Sequence, residues 1–410
     1  MRKLFFCISI CLFCMISLLQ SCKDNELNAP VITGVRNYAA APDDTVLTSL
    51  IPGQWVVLEG QNLSGITFVA FNGVPASFNT TMSTQSYAVI QVPSIIPFPS
   101  IPADKLNTIQ YITTDGTTTF RFDIVAPAPV ISSISNENAR QGDSVYVFGT
   151  NLFMIEKLNF SGAEITQYTT SVQGNYLAFV LPELTESKPV SVTTRSGVYT
   201  TPFNVNNVSV NDSTTYILAN AEGGSGWEWW GGATLESGDS QSSWPPYNRD
   251  FAGNKTSFFT LKYNDLASGA GAEWSHAVRV AEGQWMASQN LADSPDRWAV
   301  KFEMNIARSW NGTTLCMKSM NGNYIVRYEP WKTNSSPSGP ARSETQGWQT
   351  VTIPLSSFRT QEGQGLPVAT IGDLIAGTAK SPLQIYVHNY GSAPTGFYGA
   401  FDNIRVVKIQ

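Results

Sequence analysis

The residues with the most distinctive chemistry in this chain are its tryptophans. Ten of the eleven lie between Trp227 and Trp348. A core rarely needs so many, because the indole is bulky and its N–H needs a partner. Some must pack inside and some must face water, and alternation helps to sort them. In the run Trp298 to Ile306, Trp298, Val300, Phe302, Met304 and Ile306 share one face, while Lys301, Glu303 and Asn305 share the other. This predicts a strand with Trp298 in the core and the charged positions in solvent. Gly347 to Leu355 reads as another strand with Trp348 structural, and Trp227 reads as packing.

The other tryptophans fit a core less well. Trp229 and Trp230 are adjacent, so in extended chain they point opposite ways. Trp244-Pro245-Pro246-Tyr247 is a rigid loop presenting two aromatics, and Trp285 sits in the turn-like Glu282-Gly283-Gln284 context. Trp331 follows Pro330, and its parity groups it with Arg327 and Glu329, away from Tyr324, Val326 and Tyr328. Trp274 shares parity with Val278 and Val280, so both core and site stay open for it. From Leu383 to Tyr390, the apolar face is Leu383, Ile385 and Val387, and the other face carries Gln384, Tyr386, His388 and Tyr390. The candidate contact set is therefore Trp229, Trp230, Trp244, Tyr247, Trp274, Trp285, Arg327, Glu329, Trp331, His388 and Tyr390.

Aromatic plates beside amides and a few charges suit a sugar. The C–H face of a pyranose packs on an indole, and its hydroxyl rim pairs with amide, carboxylate and guanidinium groups. By analogy with base stacking, each plate contributes on the order of 1–3 kcal/mol. The alternative is that these tryptophans fill a loop-rich shell.

Other chemistries find less support. A glycosidase needs two carboxylates facing one bond, and nothing pairs any two of Glu228, Glu273, Glu282, Glu303 and Glu329. His276 and His388 are the only histidines and lack metal-ligand spacing. Neither a nucleophile elbow nor a phosphate loop occurs. A non-catalytic polysaccharide binder without a cofactor is expected. A surface glycoside hydrolase and an adhesin or structural lipoprotein that binds protein are the alternatives.

The chain opens with Met1-Arg2-Lys3 and an apolar run, Leu4 to Leu19, that reads as a secretory signal over residues 1–21. The run ends in Leu19-Gln20-Ser21-Cys22, which resembles a bacterial lipobox, so Cys22 is the expected lipidation site at the head of a tether, residues 22–29. Lys23-Asp24-Asn25-Glu26 looks like the export tag of surface lipoproteins in Bacteroidota. An outer-membrane lipoprotein on the cell surface is therefore expected. Cys7, Cys11 and Cys14 lie inside the signal, so Cys316 is the remaining thiol. It can form neither an internal bridge nor a zinc cluster, and reads as a small buried hydrophobe. Without residues 1–21 the 25 basic residues lose two, leaving 23 Lys+Arg against 31 Asp+Glu, a net charge of −8. That balance argues against nucleic acid.

The first half of the chain carries an internal repeat. Gly60-Gln61-Asn62-Leu63 recurs as Gly149-Thr150-Asn151-Leu152, and Phe71-Asn72-Gly73 as Phe160-Ser161-Gly162, both at an offset of 89. Pro30-Val31-Ile32 recurs as Pro129-Val130-Ile131. Each copy reads as short strands, with Gly60 and Gly149 ending a strand where positive φ is needed. Trp55 opens a strand and is read as core. The ordered landmarks resemble the IPT/TIG branch of the immunoglobulin-like fold over residues 30–125 and 127–206, joined by the stiff Ala126-Pro127-Ala128-Pro129.

Residues 210–410 resemble a carbohydrate-binding jelly roll. The likeness rests on Ile217 to Glu222 leading to Trp227, on Gly347 to Leu355, and on Phe401 to Val406. The expected fold is all-β, two immunoglobulin-like β-sandwiches followed by a jelly-roll-like β-sandwich. The whole layout resembles the surface glycan-binding proteins of Bacteroidota polysaccharide-utilisation loci. That resemblance implies a β-glucan or hemicellulose ligand and, as partners, a TonB-dependent transporter with its lid lipoprotein. It also implies that Asp402 and Glu222 could frame a structural calcium, with ordinary turn carboxylates as the alternative.

Overall fold

The computed structural model describes residues 28–223, 229–230, 233–239, 244–254, 256–275, 277–333, 345 and 347–410, with only the backbone of 229–230 and of residue 333. The signal segment, Cys22, Trp227 and His276 lie outside the described residues. The chain is all-β, with two immunoglobulin-like sandwiches ahead of a larger one, and forms two compact units, Met1–Ala128 and Pro129–Gln410.

In the first unit one sheet runs Val31–Asn37, Trp55–Gln61, Tyr87–Gln91, Phe78–Ser83, and the other Val74–Pro75, Ile66–Phe71, Thr108–Thr113, Gly116–Arg121. The second unit begins with the same strand order: Val130–Ile134, Ser144–Thr150, Tyr176–Val180, Thr169–Thr170, and Ala163–Glu164, Ile155–Phe160, Val190–Thr194, Gly197–Thr200. The repeated motifs have separable physical causes. Gly60 and Gly149 are needed for close approach, because a Cβ there would lie 1.9 Å from the carbonyl oxygen of Val31 or Val130, beside a bulge in the partner strand. The positive φ expected at glycine belongs instead to Asn62 and Asn151, at 56° and 58°. Leu63 and Leu152 then drop into the cores. Asn72-Gly73 and Ser161-Gly162 both hold positive φ, the geometry of a two-residue hairpin turn. Trp55 departs from expectation. It is 44% exposed and packs on Tyr38 with ring centroids 6.2 Å apart.

The C-terminal strands are β1 (Thr215–Ala219), β2 (Trp229–Trp230), β3 (Thr234–Ser237), β4 (Ser257–Leu266), β5 (Ala277–Gln284), β6 (Trp298–Ile306), β7 (Thr314–Ser319), β8 (Tyr324–Tyr328), β9 (Gln349–Pro354), β10 (Lys380–His388) and β11 (Thr395–Lys408). One sheet runs β3-β4-β11-β6-β9, with β1 also on β11, and the other runs β2-β5-β10-β7-β8. The core lies between them. Trp298, Val300, Phe302, Met304 and Ile306 enter it from β6 as the alternation requires, and Val278, Val280, Leu315, Met317, Leu383, Ile385 and Val387 come from the opposite sheet.

The other face of β6 corrects the expectation of a solvated surface. Lys301, Glu303 and Asn305 are buried; the second sandwich covers Lys301 and Glu303, and Thr345 bonds Asn305. Glu137 of that sandwich pairs with Lys301 Nζ and lies 2.9 Å from Arg405 Nη2, and Arg405 grips Glu303 through two 2.9 Å hydrogen bonds. Asn138 and Thr350 donate to the Glu303 carboxylate, and Thr350 N donates to Ser135 O at 2.7 Å. Two acids and two bases thus neutralise one another out of water, so residues 129–206 and the C-terminal sandwich share one compact unit.

Replacing Trp298 by alanine empties a large core site and should cost about 3–5 kcal/mol in urea denaturation. Glu137→Ala strands the buried Lys301 and removes one of the two carboxylates on Arg405, and should cost about 3–5 kcal/mol. Burial alone would raise the Glu137 carboxyl, but Lys301 and Arg405 outweigh it and hold it below the ordinary 4.5. The depressed value means that its stabilisation is complete above the ordinary carboxylate range and is lost as pH falls below it. The penalty for Glu137→Ala should therefore shrink when the same denaturation series is repeated at successively lower pH.

Candidate glycan-binding face

The five-stranded sheet has a second face, and register determines which residues meet on it. Arg279, Gln384 and Lys318 form one cross-strand row, while Ala277, Tyr386, Cys316 and Arg327 form the next. His388 and Thr314 pair in a third. Directly opposed residues, and residues two apart on a strand, point the same way. The face away from the core therefore gathers an amide, three cations, tyrosines and a histidine.

At one end Arg327 stacks its guanidinium 3.5 Å from the Tyr390 ring centroid, and Tyr390 stacks on His388 at 3.8 Å and 15°. Arg327 Nε donates to Glu362 O at 2.6 Å. Burial, with Arg327 nearby, depresses the His388 pKa despite Glu362 and Glu273, so His388 is neutral at pH 7. Cys316 lies beneath, fully buried, and burial pushes its thiol up to about 12, which removes it as a nucleophile. Glu329 is mostly buried and committed to Thr314 Oγ1 and Lys332 Nζ.

At the other end Trp274 stands in the turn before β5, 76% exposed. Its ring lies 5.2 Å from the Arg279 guanidinium carbon. Its parity with Val278 carries no information, because the chain is extended only from Ala277. Beneath it Glu273 Oε1 accepts from Lys318 Nζ at 2.8 Å.

The remaining candidates divide. Trp285 is corrected outright. It is fully buried in the core, and its Nε1 donates to Ser381 O at 2.8 Å. The end of β5 carries it inward, so the glycine before it does not mark an exposed turn. Trp331 is half-buried against the same core, with Nε1 donating to Thr313 O at 3.0 Å. A short helical turn, Pro330–Thr333, begins there, so strand parity does not extend to it. Trp244 is 77% exposed, but it and the half-buried Tyr247 lie on a loop tied to Ser237 at the end of β3, in the other sheet. Trp229 and Trp230 form β2, opposite Val280 and Arg279, and their side chains lie outside the described residues. Sequence reasoning missed Glu273, Arg279 and Lys318 as members of this face. The alternation of Thr314, Cys316 and Lys318 against Leu315 and Met317 was the available signal.

Both carboxylates of the suggested calcium pair accept protein hydrogen bonds. Asp402 is buried, and its two oxygens accept from Asn403 N and Asn254 Nδ2, while Glu222 Oε1 accepts from Ser257 N. Arg140 of the second sandwich bonds Asn254 and brings positive charge to both carboxylates. Burial raises the Asp402 carboxyl to about 8. Among the described residues no group of three or more His, Cys, Asp or Glu side chains gathers.

Comparison with known proteins agrees with the layout. Residues 210–408 match the family described as the surface glycan-binding protein B xyloglucan binding domain. An IPT/TIG domain-containing protein of Bacteroides ovatus is 27% identical over 143 residues, which span 34% of this chain and 29% of that protein. A surface glycan-binding protein from Prevotella bryantii superposes with a TM-score of 0.66 at 20% identity, covering 93% of this chain and 99% of that one. At that identity the superposition establishes the fold.

Trp285→Ala should lower stability by about 3–5 kcal/mol. Trp274→Ala should change it by no more than about 0.5 kcal/mol, as for an exposed position. Parallel urea titrations compare the two.

Proposed function

We propose that this chain, matched over residues 210–408 to a xyloglucan-binding domain of surface glycan-binding proteins, captures a β-glucan at the cell surface without cutting it. The observation that carries the reading is the outer side of the five-stranded sheet, where Trp274 stands exposed at one end and the partly exposed Arg327, Tyr390 and His388 stack at the other. Stacking on aromatics and bonding to amide and guanidinium groups are the two demands of a neutral sugar chain. Solved relatives were determined with a xylogluco-oligosaccharide and with a mixed-linkage heptasaccharide. Xyloglucan is the first ligand to test and mixed-linkage glucan the second.

Catalysis finds no support on this face. Glu273 is paired with Lys318 and Glu329 with Lys332, and the relatives are named for binding. The two immunoglobulin-like domains, 30–125 and 127–206, act as spacers. Residues 1–21 serve as a lipoprotein signal, and lipid on Cys22 with the tether 22–29 anchors the body in the outer membrane. Bound glycan then passes to a TonB-dependent transporter and its lid lipoprotein.

A second reading, an adhesin that binds protein, draws on a different surface. Tyr146, Phe148 and Tyr176 of the second sandwich are 36–43% exposed and lie together, with Tyr146 and Phe148 parallel within 13°.

Affinity electrophoresis of the mature protein against xyloglucan, mixed-linkage glucan, mannan and xylan decides between them. Retardation by a glucan, no release of reducing sugar, and weakening by Trp274→Ala are expected. Stacking loss at one plate is about 1–3 kcal/mol, roughly 5- to 150-fold in Kd. No retardation by any glycan would sink the reading.

A further inference from the structure

We propose that Arg279, Gln384 and Lys318 are positioning residues that hold the Trp274 plate in its binding pose without themselves contacting the glycan. The inference rests on the proposed role of Trp274 as a contact.

The three residues occupy one cross-strand row on three neighbouring strands, β5, β10 and β7. All three bond the same residue, Glu273, which immediately precedes Trp274. Arg279 Nη2 donates to the Glu273 carbonyl at 2.7 Å, and Gln384 Nε2 donates to the same oxygen at 2.6 Å. Lys318 Nζ bonds the Glu273 carboxylate at 2.8 Å. Backbone and side chain of one turn residue are thereby clamped to the sheet from three directions. The Arg279 guanidinium also lies under the Trp274 ring.

The clamp has a cost that argues for a purpose. Gln384 is fully buried, yet among the described residues its Oε1 has no hydrogen-bond partner, and neither does the buried Arg279 Nε. A buried unpaired polar atom costs about 1–3 kcal/mol. An apolar pair at these positions would avoid that cost, but it would leave the Glu273 carbonyl without these two donors and the turn free to move. An exposed indole on a mobile turn loses freedom when a sugar stacks on it. One already fixed does not.

The test is a double-mutant cycle on the full mature chain, with xyloglucan oligosaccharide binding read by calorimetry. Gln384→Leu removes one of the two donors to the Glu273 carbonyl at near-constant volume, and Lys318→Met releases the carboxylate alone, so the test survives if one variant folds poorly. In the parent, either change should weaken binding roughly two- to twelvefold, the cost of ordering a side chain. In a Trp274→Ala background the same change should have no further effect. Incorporated 5-fluorotryptophan gives a ligand-free readout. The fluorine line that Trp274→Ala deletes should be single in the parent and broadened or split in the clamp variants. Equal losses in both backgrounds, or an unchanged fluorine line with unchanged affinity, overturn the clamp while leaving the plate intact. If Trp274→Ala itself costs no affinity, the plate is wrong and the clamp falls with it.

Discussion

A strand in a two-layer sandwich can give only every second residue to the core. Everything of interest in the C-terminal domain follows from what the five-stranded sheet does with the other half. Leu315, Met317, Leu383, Ile385 and Val387 fill the interior. Their neighbours Thr314, Cys316, Lys318, Gln384, Tyr386 and His388 are thereby forced onto the opposite face, where strand register aligns them into rows. A slip of one residue in any strand would send the aromatic and polar set into the core. Burial of the apolar half therefore specifies the position of the polar and aromatic half.

The six-stranded sheet meets the same constraint differently. The half of β6 not given to the core carries Lys301, Glu303 and Asn305, and the second sandwich covers the two charged positions. Charged groups tolerate such burial only when paired. The Glu137–Lys301 and Arg405–Glu303 pairs, with hydrogen bonds from Asn138 and Thr350, provide that pairing. One outer face of the sandwich is thus used for docking, and the other carries the candidate site. The buried charge network joins the second sandwich to the C-terminal sandwich within the unit Pro129–Gln410.

Much of the fold was legible. The repeat at an offset of 89 marked two sandwiches that share strand order, and the alternation in β6 placed Trp298 correctly. Errors arose where local pattern ended. Parity misled for Trp331, which follows a strand into a helical turn, and context misled for Trp285, whose neighbours resemble a turn while its side chain points inward. Trp55 opens a strand but faces out, because Val56 and Leu58 take the core side.

What the residue order determined by itself was periodicity: which positions alternate, which turns need Asn or Gly, and which half of the chain carries the indoles. These are local properties, set by backbone sterics and a two-residue repeat. Only tertiary structure decided that Arg279, Gln384 and Lys318, far apart in the chain, converge on Glu273, and that the charged face of β6 is buried. Cross-strand register and domain docking arise from contacts between distant segments, and those contacts are absent from any window of sequence short enough to be read by pattern.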